Sequence, residues 1–182
     1  GHLRKLGRVD NGNAFLNPNQ LEKQRGITIF THQARLSYHD LALTMLDTPG
    51  HIDFAGQTEQ VLQVLDYAIL VVSVTNGIQG YTRTLWDLLK RYDIPIFVFI
   101  NKVDSMGADS ARVLNKLQNE LSAGCIDFTS GQVTTGDAAE AIAMQDDIVL
   151  ASYLDQEKLS EDTVRTLIKE RKVFPCFTGS AL

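Results

Sequence analysis

Four short clusters hold residue types that could do chemistry at their spacing: "RGITI" (Arg25–Ile29), "DTPGH" (Asp47–His51), "NKVD" (Asn101–Asp104) and "GSAL" (Gly179–Leu182). The sharpest is "NKVD". A carboxylate accepts two parallel hydrogen bonds from neighbouring N–H donors, and guanine offers such a pair on N1 and N2. Adenine has an acceptor at N1, so Asp104 in a base pocket selects guanine. A site built to hydrogen-bond a substrate group rejects an analogue lacking it by about 10⁴ or more. Asn101 would brace the loop and the base, and the aliphatic stem of Lys102 would cover the ring face. The plain alternative is a polar loop after a strand.

"DTPGH" follows the apolar run Leu41–Leu46 directly. With a nucleotide and Mg²⁺ as ligands, Asp47 would hold the metal through a water, as the second acidic site of a P-loop NTPase does. Gly50 would bring its backbone N–H to a terminal phosphate, a task that needs no side chain. His51 would orient a water for in-line attack. The alternatives are a surface histidine, and Asp53 with Phe54 capping and stapling a following helix. In "RGITI", the Thr28 hydroxyl would ligate Mg²⁺ while its N–H meets the γ-phosphate; otherwise Thr28 is a β-branched residue opening a strand. In "GSAL", Ala181 would give its N–H to the guanine carbonyl between Ser180 and Leu182; otherwise the segment is an ordinary turn. Thr28 and Ala181 are weak signals alone. Four such clusters, each at or near a strand end and in this order, are a strong one, because open α/β sheets bind ligands beyond the carboxyl ends of their strands.

The elements that must position these clusters alternate. "ARLSYHDLALTMLDT" reads as a hairpin broken at Tyr38-His39-Asp40. Tyr67–Val74 and Ile94–Asn101 are continuous β-branched and aromatic runs, which suit strands buried on both faces of a parallel sheet. "KVFPCFTGSA" holds one more strand. Helical spacing covers Phe54–Leu65, with Val61, Leu62, Val64 and Leu65 as its apolar face. It also covers Thr82–Tyr92, and Asp109–Leu121 with Asp109 or Ser110 as cap. Two further helices are read over Asp146–Leu154 and Ser160–Arg171. The small, polar, weakly patterned residues 123–145 read as a surface insertion, and 1–24 as a mobile approach to the first cluster. Strands alternating with helices predict an α/β fold with a doubly wound, mostly parallel sheet and helices on both faces.

Composition bounds the function. The 182 residues make one ordinary domain, with 44% hydrophobic and 21% charged residues. A formal net charge of −5 leaves no electrostatic footprint for nucleic acid. Cys125 and Cys176 stand far apart in no metal-ligand spacing, which fits a reduced, cytoplasmic protein. The apolar runs are too short for a membrane span.

Taken with these clusters, the chain resembles the GTPase domain of translational GTPases, and among them elongation factor G and the ribosomal-protection tetracycline-resistance proteins. "RGITI", "DTPGHIDF", "INKVD" and "GSA" carry the resemblance over nearly the whole chain. "LGRVDNGNAFLNPNQLEKQRGITI" is similar to the approach to the first switch. The resemblance implies a P-loop-NTPase-like fold, GTP and GDP as ligands with Mg²⁺, and the ribosome as partner. It implies that Thr28 belongs to the first switch and Asp47–His51 to the second. Asn101, Lys102, Asp104, Ser180 and Ala181 would hold the guanine, and His51 would position water once the ribosome orders the site. The insertion after Gly124 leans slightly towards the resistance proteins.

The sequence departs from the family pattern in two respects: it contains no G-x-x-x-x-G-K-[ST], the loop that cradles phosphates, and it stops at Leu182, ahead of the helix the resemblance leads one to expect after "GSAL". The chain therefore reads as a GTPase domain truncated at both ends, expected to be poorly stable and to bind GTP feebly as it stands. Two rivals are a non-catalytic pseudo-GTPase that uses the fold for docking, and an unrelated ATPase. The retention of Asp47, Gly50, His51 and Asp104 together disfavours the first, and Asp104 the second.

Overall fold

The order of the strands decides which loops meet, so topology is the first question. The structure, a computed structural model, describes residues 28–51, 53 and 55–181. The expectations placed on 1–24, on Arg25, on Phe54 and on Leu182 fall outside them. The chain divides into two units, 1–64 and 65–182.

In the first unit, β1 (His32–Tyr38) and β2 (Leu41–Asp47) pair antiparallel from His32↔Asp47 to Tyr38↔Leu41. The two-residue turn His39-Asp40 is the polar break that the sequence marks. His39 has φ 49°, and histidine is among the few non-glycine residues enriched in the left-handed region such turns demand. Helix α1 (Ala55–Leu62) is shorter than its apolar pattern predicts. It buries Thr58 and Leu62, whereas Val64 is 71% exposed. The burial of Thr58 has a local reason: its hydroxyl donates to the Pro49 carbonyl at 3.2 Å, so a polar residue faces inward to satisfy the turn after β2.

The second unit holds a four-stranded parallel sheet, the α/β architecture expected. Its strands are β3 (Ala68–Ser73), β4 (Ile96–Asn101), β5 (Cys125–Asp127) and β6 (Phe174–Thr178), in the spatial order β3-β4-β6-β5. The connections carry α2 (Gly80–Arg91), α3 (Ser110–Glu120), α4 (Gly136–Ala143), α5 (Asp147–Gln156) and α6 (Glu161–Lys169). Alternate residues of β4, Ile96, Val98 and Ile100, are almost wholly buried, which places this β-branched run at the centre of the core. Trp86 of α2 packs on Phe174 with ring centroids 4.6 Å apart. Helix α3 is capped by Asp109, whose carboxylate accepts from the Arg112 N–H, and it buries Val113 and Leu117. Asp146 caps α5 in the same way and also meets Lys172 Nζ at 2.6 Å, tying the start of α5 to the approach to β6. That ion pair, with the Val149 N–H next, holds the Asp146 carboxyl below its ordinary range.

Residues 123–145 correct the sequence reading. They are no surface insertion: they supply β5 and α4, and Cys125, Ala139, Ile142 and Ala143 are fully buried. Ile126, Ala139, Ile142 and Ala143 form one cluster with Leu159, Val164, Leu167 and Val173. Gly124 lies so near the Lys172 carbonyl that a Cβ there would stand 2.1 Å from its oxygen. Ile142→Ala is therefore expected to cost about 2–5 kcal/mol in denaturant unfolding, as buried truncations do. A residue of a true surface insertion would change stability by less than about 0.5 kcal/mol.

Candidate functional site

Since β4 and β6 are adjacent and parallel, with Val98↔Cys176, Phe99↔Phe177 and Ile100↔Thr178 in register, whatever follows them leaves the sheet at the same end, beyond the carboxyl termini of the strands. "NKVD" follows β4 and "GSA" follows β6. The topology thus joins two clusters that lie 76–80 residues apart.

Their contacts are specific. Asn101 Oδ1 accepts from the Lys102 N–H at 2.8 Å and from the Ala181 N–H at 3.1 Å. One amide oxygen therefore braces both loops. The Ser180 hydroxyl donates to Asp104 Oδ1 at 2.6 Å, which fixes the carboxylate that faces solvent beside it. The Gly179 N–H donates to the Ile100 carbonyl at 3.0 Å, and the Val103 N–H meets the Gly179 carbonyl at 3.4 Å. Lys102 has φ 66°, a left-handed conformation that costs a non-glycine residue about 1–3 kcal/mol and recurs at ligand clamps. The Asn101 side chain holds that backbone in place.

The Ala181 N–H, which the sequence reading offers to a guanine carbonyl, donates to Asn101 Oδ1. A base can share this donor only by a bifurcated bond or by displacing the amide. At the same end of the sheet, a cleft of about 210 Å³ opens with Ser73, Asn76, Asn101 and Lys102 in its wall. The sequence does not mark Thr129, whose hydroxyl reaches the end of β6. No local pattern signals a contact made across 49 residues.

In the first unit, Asp47 is the last residue of β2 and pairs in register with His32. Pro49 is buried, and Thr58 fixes its carbonyl. Gly50 is exposed, with nothing within 4 Å of where a Cβ would stand, so space alone does not require glycine. His51 Nδ1 lies 3.4 Å from both the Asp53 N–H nitrogen and Asp53 Oδ2, which turns Nε2 to the opposite side of the ring. Thr28 is half-buried ahead of β1. Among the described residues, no three His, Cys, Asp or Glu side chains cluster as a metal cage. Thr28 and Asp47 are hard oxygen donors, and Mg²⁺ is commonly held by one or two carboxylates plus substrate phosphates. The donor set fits that ion.

Comparison with known proteins gives a consistent result. Residues 1–182 match the family described as the elongation factor Tu GTP binding domain. The oxytetracycline resistance protein of Streptomyces rimosus is 36% identical over 100% of this chain and 31% of its own length. Tetracycline resistance protein TetO of Campylobacter jejuni is 36% identical over 100% of this chain and 30% of its own. Elongation factor G of Salinibacter ruber is 30% identical over 100% of this chain and 33% of its own. The chain spans about a third of the length of the curated relatives it matches. In structure it is similar to a solved protein of Thermus thermophilus, ttk003000868, with a TM-score of 0.79 over 96% of this chain and 33% of that one. At 21% identity this is a likeness of fold.

Proposed function

The chain belongs to the elongation factor Tu GTP-binding domain family, and from that premise we propose that it binds guanine nucleotides and hydrolyses GTP within a ribosome-associated translation factor or tetracycline-resistance protein. The observation that supports this best is the pair of ties between the two loops. Asn101 holds Ala181 and Ser180 holds Asp104, so the base-selecting carboxylate is fixed before any ligand arrives.

Each group then has a task. Asp104 accepts the N1–H and N2–H of guanine. Lys102 covers the ring with its stem, and Asn101 keeps the loops together while Ser180 and Ala181 close the base side. On the phosphate side, Gly50 presents its N–H to the terminal phosphate. His51, steadied at Nδ1 by Asp53, orients the attacking water through Nε2. Thr28 and Asp47 would hold Mg²⁺, which supplies neutralisation of the charge on the phosphates. Unassisted GTPases of this kind turn over at roughly 10⁻⁴ to 10⁻² s⁻¹, so a ribosome that orders His51 would accelerate a slow basal reaction. Among the described residues, no helix is long and apolar enough to cross a membrane.

Displacement of a fluorescent GDP from the full-length protein tests the reading. GTP is expected to compete and ATP to fail by about 10⁴-fold or more. Equal competition by ATP would remove the role given to Asp104, and no binding at all would favour a docking module.

A further inference from the structure

We propose that Thr129 is a positioning residue that sets guanine selectivity by holding the end of β6 from the side opposite β4. This rests on the guanine reading of Asp104 and Ala181. Three N–H groups at the exit of β6 are directed to three different acceptors. The Ala181 N–H donates to Asn101 Oδ1 and the Gly179 N–H to the Ile100 carbonyl, both on β4. The Thr178 N–H donates the other way, to Thr129 Oγ1 at 3.1 Å.

The chain reaches that arrangement by ending β5 early. The Phe128 N–H still donates to the Cys176 carbonyl at 2.8 Å, extending the ladder by one residue beyond Asp127. The Asp127 carboxylate then accepts the Thr129 N–H at 2.8 Å, the local turn that Asx side chains favour. That turn carries the Thr129 hydroxyl over β6. It takes the Thr178 N–H and also lies 3.3 Å from the Thr178 hydroxyl. A side-chain oxygen thus serves where a longer strand would have offered a carbonyl. Loss of this oxygen leaves the exit of β6, from Thr178 onward, held by β4 alone while Cys176 stays paired with β5, and Ser180 and Ala181 follow within three residues. Thr129 is not sealed from solvent, so water can satisfy the Thr178 N–H once the hydroxyl is gone. The effect should appear in the alignment of the loop and little in global stability.

The test uses the full-length protein with Thr129→Val, which keeps the shape and loses the hydroxyl, and Thr129→Ser, which keeps the hydroxyl. GDP and ADP affinities are read together with amide hydrogen exchange over residues 177–181. Thr129→Val is expected to weaken GDP by about 3- to 10-fold, as the loss of one hydrogen bond would. It should also speed exchange in that segment, leave ADP binding unchanged and shift the melting temperature by less than about 3 °C. Thr129→Ser should restore GDP affinity and slow exchange. Parental GDP affinity and exchange in the valine variant, or equal losses in both variants, would overturn the role of the hydroxyl while the guanine reading stands. A parent protein that does not prefer GDP to ADP would overturn the guanine reading and this proposal with it.

Discussion

Asp104→Asn is expected to lower GDP affinity by about 10²- to 10⁴-fold while the protein melts within a few degrees of the parent. The carboxylate presents two acceptors to the two N–H groups of guanine, whereas the amide presents one acceptor and one donor. One charge-assisted hydrogen bond worth about 1.5–3 kcal/mol is lost, and a donor is left facing a donor at about 1–3 kcal/mol more. The tie to Ser180 survives, because its hydroxyl can donate to the amide oxygen or accept from the amide nitrogen, so the loop keeps its shape. The loss is therefore specific to the base. A xanthine nucleotide, with a carbonyl where guanine has its amino group, should gain on GDP in the variant. Isothermal titration with both nucleotides measures the exchange of preference. GDP affinity within threefold of the parent would show that Asp104 does not read the base.

His51→Ala should separate binding from turnover. Single-turnover GTP hydrolysis by the full-length protein on ribosomes is expected to fall by about 10²- to 10⁴-fold, the contribution usual for a positioned group of this kind. GTP affinity should change by less than threefold, since the imidazole is half exposed and is given no contact with the base. In the role proposed for it, with Nδ1 facing the Asp53 N–H and carboxylate, the ring would address the water through Nε2. Hydrolysis that survives the substitution would assign the water to another group and leave His51 a surface residue.

What can be read from residue order, and what cannot, divides along physical lines. β4 is legible because six consecutive apolar or amide-bearing residues, Ile96 to Asn101, have no other stable place than the middle of a sheet. The hairpin is legible because a polar pair interrupts two alternating runs. The segment 123–145 is not, because β5 is only three residues long and α4 buries alanines, Ala139 and Ala143, around the single large side chain Ile142. Small buried residues leave almost no hydrophobic period. Helix α1 is misread at Val64 because the helix stops at Leu62, and the apolar pattern shows neither that end nor the inward turn of Thr58 to meet Pro49. At the site, the residue types of "NKVD" and "GSA" point to a base. That Asn101 ties Ala181 and Thr129 ties Thr178 depends on the placement of β6 between β4 and β5, which residue order does not state.

That placement also governs when the protein becomes competent during its synthesis. The chain emerges in the order β3, β4, β5, β6, yet β6 belongs between β4 and β5. Until Phe174–Thr178 have left the exit tunnel, one flank of β4 stands open and β5 has no strand to join. An open, apolar strand edge is a pairing hazard for a nascent chain, and non-local pairing of this kind is slow to form. The same event that fills the gap brings Ser180 to Asp104 and Ala181 to Asn101. On the proposed guanine reading, closure of the sheet and readiness for the base are one step. Ribosome-bound chains arrested before Phe174 should be blind to guanine nucleotides however long they are given, and those extended past Ala181 and clear of the tunnel should acquire the base-reading loops all at once.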